Sequence, residues 1–357
     1  MTRQARIAVI GTGWWATYTH IPGLLANPSA MLVAACDADS SRLAAAARAY
    51  AIERTYADHR AMLDREQLDG VVIATPHATH FALARDCLER GLHVLVEKPL
   101  TLRAAEAREL AELAQARGVE LMTGYQANFT PNARRAKEAI ASGELGPIQL
   151  VSTVFNSYNA DLLSGRDRSD QPDVYPVHGP GAVYSQPHLS GGGHGHLQLT
   201  HALGLLFFVT GLRARRASAW MRDHGLPLDL VDAIMVEFEG GALGTVAGTS
   251  NARQHRHDLQ VSCALGGVAL DMTALAALIH GPGERREEIG PEPGFAETMR
   301  FLPAANLVDV ARGQPSRGTP AEIGWRTVEL LDAAYRSARD DGRPVAIAEL
   351  YDQGIAG

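Results

Sequence analysis

The stretch Arg6-Ile7-Ala8-Val9-Ile10-Gly11-Thr12-Gly13-Trp14-Trp15-Ala16 decides the fold of this chain. Its first half is an apolar run that ends in glycine, the mark of a buried strand. Gly11, Gly13 and Ala16 then stand at the spacing GxGxxA. In that pattern the first glycine permits a tight turn and the second lets the backbone approach a pyrophosphate. A small third residue lets the following helix pack closely on the strand, with its N-terminus facing the anion. Thr12, Trp14 and Trp15 occupy the variable positions. A second apolar run, Met31 to Cys36, stops at Asp37. An acid there is placed to bind the adenosine ribose hydroxyls and favours NAD over NADP, because a 2′-phosphate would be repelled. The plainer alternative is a structural glycine turn with Asp37 leading a helix. Strand, glycines, helix and acid in one unit count against it.

Working outward, the same alternation continues. A helix is expected over Ser40 to Ala51 with Ser40 as N-cap, a strand over Val71 to Thr75, and a helix from about Thr79 to Arg90. A strand over His93 to Val96, a helix from Thr101 to Arg117 and a strand over Glu120 to Gly124 follow. Near-continuous apolar strands separated by helices predict a parallel sheet covered on both faces. After about Gln126 the pattern changes. A helix (Pro131 to Ser142) leads into a strand (Ile148 to Val154), then a loop from Asn156 to Ser190 that is long enough to be a binding loop. Gly191 to Gly211 reads as helical, Ala214 to Met272 as successive strands, and two helices near Glu297–Arg312 and Glu322–Asp340 finish the chain. The expected fold is α/β: a dinucleotide-binding domain over residues 1–125 and a substrate domain over 126–357, whose last helix is free to pack back on the first.

Composition bounds the function. At 357 residues the chain exceeds what one core usually holds, and 46% hydrophobic with 20% charged residues excludes a disordered chain. A net charge of −7 offers no basic surface for nucleic acid, so the partner is expected to be a small molecule. Cys36, Cys87 and Cys263 lie far apart, as in a reducing compartment. The longest apolar stretch, Leu203 to Val209, falls far short of the ~20 residues that span a bilayer. Only Met1 to Ala5 precede the first strand, leaving no room for a signal peptide, and the chain reads as cytoplasmic.

Chemistry is expected at the carboxyl ends of the strands, where ligands sit in doubly wound sheets. Thr75, Pro76 and His77 end one strand; Pro76 halts it and leaves backbone groups facing a cofactor. His80 is either a helix cap or a cofactor contact. Glu97-Lys98-Pro99 ends the next strand and directs Lys98 toward the nicotinamide end of a bound dinucleotide. A lysine suits proton exchange with a substrate hydroxyl if burial and a neighbouring positive charge lower its pKa. A surface lysine paired with Glu97 is the bland alternative. Arg42 could stack on adenine or soften the bias against NADP, beside the simpler role of an exposed helix arginine.

These motifs, with Gly124-Tyr125 opening the second half, resemble the Gfo/Idh/MocA oxidoreductases, a family that includes inositol and sugar dehydrogenases. Over the C-terminal half the likeness is looser, confined to Gly191-Gly192-Gly193 and His201. The resemblance implies a Rossmann domain followed by an α/β domain with a large open, mostly antiparallel sheet, and a homodimer or homotetramer. It implies hydride transfer between NAD and a hydroxyl-bearing carbon of a sugar, sugar derivative or cyclitol, with Lys98 at the position of the family's active-site lysine. Family enzymes commonly follow the glycine run with an aspartate and, four residues later, a histidine. Here His201 matches the histidine, but Leu197 stands in the aspartate's place.

Either another polar group replaces that aspartate or the site runs on Lys98 and His201 alone. Helical spacing nominates Gln198, three residues before His201, and His194, seven before; His196 points away. Tyr125 and Asn128 match positions where family members place substrate-contacting side chains; hinge packing and turn capping are their alternatives. Trp14 or Trp15 shields the cofactor or lines the substrate mouth, unless both are buried against the second domain. Arg166, Arg168, Tyr175 and His178 belong to the long loop and could cover the substrate. No metal site is expected, because His194 and His196 cannot share a helix face and no acid or cysteine completes a set with His188 and His201. Two rival functions stay open: a retained-NAD, redox-neutral glycosidase or isomerase, and a non-catalytic nucleotide-binding regulator, for which Leu197 speaks.

Overall fold

Strand β1 (Ala5–Ile10) lies inside a parallel sheet with neighbours on both sides, which is why nearly all its side chains are apolar and buried. The structure is a computed structural model and describes residues 3–166, 177, 179 and 181–352. The strands that join β1 are β2 (Ala30–Cys36), β3 (Thr55–Tyr56), β4 (Gly70–Ile73), β5 (His93–Val96) and β6 (Leu121–Thr123). They form one six-stranded sheet in the order β3-β2-β1-β4-β5-β6. The order reverses direction at β1, so a crevice opens between the carboxyl ends of β1 and β4.

Alternate β1 side chains enter different layers. Ala8 and Ile10 pack with Val71, Ile73, Val94 and Val96 beneath Ala84 and Leu110, from helices His80–Glu89 and Ala104–Arg117. Ile7 and Val9 pack with Val72, Leu95 and Met122 against Ala304, Leu307, Val308 and Val310. Those last four belong to helix Leu302–Ala311, far along the sequence. The boundary near residue 125 therefore separates the sheets but not the helices. A helix from the C-terminal part completes one face of the dinucleotide-type sheet, and helix Ala321–Arg339 contributes Val328 to the other.

The second sheet is built from β7 (Ile148–Tyr158), β8 (Ala214–Arg222), β9 (Val231–Phe238), β10 (Leu243–Thr249) and β11 (Asn251–Cys263). It continues with β12 (Gly267–Asp271), β13 (Ala276–His280), β14 (Arg286–Ile289) and β15 (Val345–Ala346). Its nine strands run β14-β13-β12-β11-β7-β10-β9-β8-β15, all pairs antiparallel except β7 with β10. Helices Pro131–Ala141, Thr200–Thr210 and Ala321–Arg339 cover one face, where Ala136, Leu203, Phe207 and Leu331 meet Val151, Val246 and Leu259. Leu150, Trp220, Met235 and Leu243 are exposed on these strands. No helix among the described residues is long and apolar enough to cross a membrane.

The structure departs from expectation in several places. Asp39, not Ser40, caps helix Ser40–Tyr50, because its carboxylate reaches the Ser41 and Arg42 N–H groups, and the short strand β3 was not expected. Strand β7 runs on to Tyr158, because Thr153, Phe155 and Ser157 alternate inward with outward Val154 and Asn156; the period of two outweighs the loop-like Asn and Ser. The remainder of the expected loop contains short helical turns at Ala160–Leu163, Gly181–Ser185 and Pro187–Ser190. Finally, both helices that enter the crevice begin with π-helical turns, Ala16–His20 and Gly195–Leu199, which no residue pattern had indicated.

Candidate active site

The glycine turn is built as its spacing requires. Gly11 has φ +91°, and a Cβ there would stand 2.3 Å from the Ala74 carbonyl oxygen, so only glycine lets β1 and β4 end this close together. Gly13 is the opposite case. A Cβ there would meet nothing within 4 Å, and Gly13 lines the crevice, so bare backbone faces open space where an anion can approach. Asp37 holds this loop: its Oδ2 accepts the Thr12 N–H at 2.8 Å and the Thr12 hydroxyl at 3.1 Å, while Oδ1 accepts the Asp39 N–H at 2.9 Å. Arg42 lines the crevice and lies 3.4 Å from the Asp39 carboxylate. An uncovered glycine cradle with a carboxylate beside it fits a dinucleotide.

The crevice continues as a cavity of about 270 Å³ between the two halves. Thr75, Pro76 and His77 line it, with His77 Nδ1 2.9 Å from the Ser190 carbonyl. His80 does not. It is fully buried, with Nδ1 2.7 Å from Pro99 O and Nε2 3.0 Å from Thr75 O, and so ties the two strand-end turns together.

Glu97 and Lys98 follow β5 directly. The Glu97 carboxylate is enclosed by donors: Trp15 Nε1 lies 2.8 Å and His20 Nε2 2.9 Å from Oε1, and the Lys98 N–H is 3.2 Å from Oε2. Burial alone would raise the Glu97 pKa, but His20, Lys98 and the Trp15 indole together hold it below the usual value. Buried His20 Nδ1 has no hydrogen-bond partner among the described residues. Lys98 Nζ donates to the Leu197 carbonyl at 2.9 Å. Burial lowers the Lys98 pKa to about 8, against the opposing pull of Glu97. A lysine whose pKa burial holds well below the ordinary lysine range therefore lines the cavity.

Opposite stand Gln198 and His201 from the helix that begins with the π turn. His201 lies against the Tyr125 and Phe155 rings, at 6.2 and 6.1 Å, and burial keeps it neutral by pushing its pKa well down. Other sequence nominees lie apart from the cavity lining. His194 is buried with Nδ1 2.8 Å from Ser250 Oγ, because the π turn between it and His201 changes the angular step and a 3.6-residue period does not carry across. Tyr125 is buried with its hydroxyl 2.9 Å from Thr200 Oγ1, and Asn128 Nδ2 reaches Gly204 O at 3.4 Å; both lie against helix Thr200–Thr210. His196 stacks on Tyr335 at 4.6 Å. Trp14 and Trp15 both line the crevice. Arg166 is exposed beside Asp161 and Ser164, while Arg168, Tyr175 and His178 lie outside the described residues.

Sequence reasoning missed one wall. Leu162, Val183, Tyr184 and Leu197 line the cavity together, and Leu197 packs in a cluster with Leu163, Leu228 and Leu230. Asn159 and Gln126 are further lining residues. The length of the 156–190 segment was the available signal; its apolar tips carried none.

Two family models match this chain. The Gfo/Idh/MocA oxidoreductase model, NAD-binding Rossmann fold, covers residues 5–125, and the Gfo/Idh/MocA C-terminal domain covers 133–269. The chain belongs to the Gfo/Idh/MocA family. It is an NAD(P)-dependent oxidoreductase. D-apiose dehydrogenase of Paraburkholderia graminis is 28% identical over 98% of this chain and 91% of its own length. scyllo-Inositol 2-dehydrogenase (NAD+) of Bacillus subtilis is 29% identical over 73% of this chain and 71% of its own. Among solved structures, GenD2 from gentamicin A biosynthesis, in complex with NAD, aligns with a TM-score of 0.77 at 26% identity, over 97% of both chains. Thus sugar and inositol dehydrogenases stand among the relatives of a family member whose crevice has Lys98 and His201 but leucine at 197.

Proposed function

We propose that this family member is an NAD-dependent dehydrogenase or reductase acting on a hydroxyl-bearing carbon of an uncharged sugar, sugar derivative or cyclitol. The observation that carries the reading is Lys98, poised to exchange a proton near neutral pH in a cavity shared by the glycine cradle, Gln198 and His201. Gly11, Gly13, Asp37 and the turn at Thr75–His77 would hold the dinucleotide, which supplies the hydride acceptor or donor. The preference for NAD over NADP rests on Asp37, already beside the glycine loop.

In the oxidative direction the neutral Lys98 amine accepts the substrate hydroxyl proton as the carbonyl forms; in reduction the ammonium returns it. Glu97 cannot take that part, since Trp15, His20 and the Lys98 N–H already surround its carboxylate. His201, Gln198, Asn159 and Gln126 offer neutral hydrogen-bonding groups for hydroxyls. The wall of Leu162, Val183, Tyr184 and Leu197 accepts the C–H face of a ring and disfavours a phosphate or carboxylate.

Absorbance of NADH, followed with a panel of cyclitols, aldoses and glycosides in wild type and K98M, tests this reading. Turnover that K98M abolishes supports it, and turnover that survives the substitution removes Lys98 from the chemistry. If the protein binds NAD but turns over nothing in the panel, the regulator reading gains; NAD that survives purification points to the retained-cofactor reading.

A further inference from the structure

Leu197 replaces a carboxylate in the family pattern, yet the Lys98 ammonium is still met by oxygen: the Leu197 backbone carbonyl, 2.9 Å from Nζ. That carbonyl sits on the π turn Gly195–Leu199, so whatever fixes the turn fixes the lysine's partner. Asp229, in the segment just before β9, grips this turn. Its Oδ1 accepts the Gly193 N–H at 2.7 Å, its Oδ2 the Gly195 N–H at 2.9 Å, and its own carbonyl the His194 N–H at 2.9 Å. Three successive amides at a helix start, which the helix itself cannot satisfy, thus end on one residue. The Tyr335 hydroxyl donates to Asp229 Oδ1 at 3.0 Å from the far side.

The glycine run is explained by the same contact. A Cβ on Gly193 would stand 2.0 Å from the Asp229 carbonyl oxygen, and one on Gly195 or Gly192 would stand 2.5 or 2.1 Å from the Tyr335 hydroxyl. These glycines admit Asp229 and Tyr335 to the backbone. From the carboxylate a series of contacts along the turn leads to the active site. Asp229 Oδ1 accepts from Gly193 N–H, Gly193 C=O accepts from Leu197 N–H at 2.9 Å, and Leu197 C=O accepts from Lys98 Nζ.

We propose that Asp229 is the positioning residue for Lys98, acting by its charge and by fixing the turn that carries the Leu197 carbonyl, in place of a side-chain carboxylate at position 197. The inference rests on the reading of Lys98 as the proton-exchanging group. By holding the Gly193 and Gly195 amides, Asp229 fixes the Gly193 carbonyl that accepts the Leu197 N–H, and so the aim of the Leu197 carbonyl at Nζ, while its charge adds negative potential that favours the ammonium. Other charged or titratable groups face both ends. Asp232, Tyr335, His194 and His196 surround Asp229, and Asp332 and Arg339 act on His196. Glu97, His77, His80 and His201 surround Lys98.

The test is the pH profile of kcat/KM for oxidation in wild type, D229N and Y335F, with a melting curve for each. D229N removes the charge and one of the two amide acceptors, so the ascending limb assigned to Lys98 moves to lower pH by about half a unit. Y335F keeps the charge and removes a competing donor, so its limb moves to higher pH. A loss of fold or rate with the limb fixed in both variants overturns the proposal, as do shifts of the same sign. If D229N does not fold, Y335F decides alone: an upward shift supports the proposal and a fixed limb refutes it. K98M separates the two levels. A wild-type profile without a lysine limb defeats the parent reading and this one together, whereas a limb that neither variant moves defeats only the role of Asp229.

Discussion

Replacing Lys98 by methionine keeps the unbranched stem and removes the ammonium, and the structure makes the result counterintuitive: the inactive protein is the more stable one. In the unfolded chain a lysine titrates near 10.5, whereas burial at the end of β5 lowers Lys98 to about 8. A depressed lysine pKa means that the unfolded state binds more protons between those two values. Stability therefore rises with pH across that window, and the full cost of the buried charge is present below it. Two and a half units correspond to about 3 kcal/mol, and partial solvent access at the cavity mouth reduces this to about 2 kcal/mol. The hydrogen bond to Leu197 offsets about 1 kcal/mol in wild type at any pH where the amine remains. K98M should thus be more stable than wild type by roughly 1 kcal/mol at pH 7, and this advantage should vanish or reverse by pH 10. Urea unfolding of both proteins at several pH values measures this. A stability difference that stays constant from pH 7 to 10 would show that Lys98 is not held at a depressed pKa, and the proton-exchange argument would fall with it.

Trp15→Phe removes one donor from the buried Glu97 carboxylate and should cost about 2 kcal/mol in urea unfolding; a loss below about 0.5 kcal/mol would refute the enclosure of that carboxylate. Asp37→Ala frees the Thr12 backbone and hydroxyl, so NAD affinity measured by tryptophan quenching should fall about tenfold and the discrimination against NADP should narrow. Tighter binding of NADP than NAD by the wild type would contradict that role. Leu197→Asp restores the acid of the family pattern but sets it against Leu163, Leu228 and Leu230, so the melting temperature should drop by several degrees, for a cost of about 3 kcal/mol, with no gain in kcat/KM. A variant that is both stable and faster would show that the apolar wall is dispensable.

The first sheet was legible because four of its six strands are apolar runs closed by a residue with a job: Gly11, Asp37, Pro76, Pro99; the two-residue β3 carries no such signal. Local chemistry and global position agree there, so the glycine cradle, Asp37 and Lys98 could be read directly. The substrate side was legible only in part. His201 came from the resemblance and Gln198, at the end of the π turn, from helical spacing, whereas His194 lies before the turn and faces Ser250 instead. A π turn leaves no signature in residue type, so the change of phase cannot be seen in the sequence. Tyr125 and Asn128 are polar enough to look functional, and only packing shows them turned to Thr200 and Gly204, apart from the cavity lining. Asp229 was invisible for another reason: its partners are backbone amides more than thirty residues away, and backbone groups have no letter in a sequence.

Helix Leu302–Ala311 bears on how the molecule is made. Ala304, Leu307, Val308 and Val310 close one face of the sheet that the first 125 residues begin. Burying the three larger side chains contributes about 1.5–3 kcal/mol each, a sum comparable with the net stability of a whole domain. During synthesis the amino-terminal sheet thus waits with Ile7, Val9, Val72 and Leu95 uncovered while about 180 further residues leave the ribosome, a long interval for chaperones or for aggregation. An excised fragment ending at residue 125 would be in the same state permanently. Any attempt to graft this cofactor module onto another scaffold has to carry the distant helix with it.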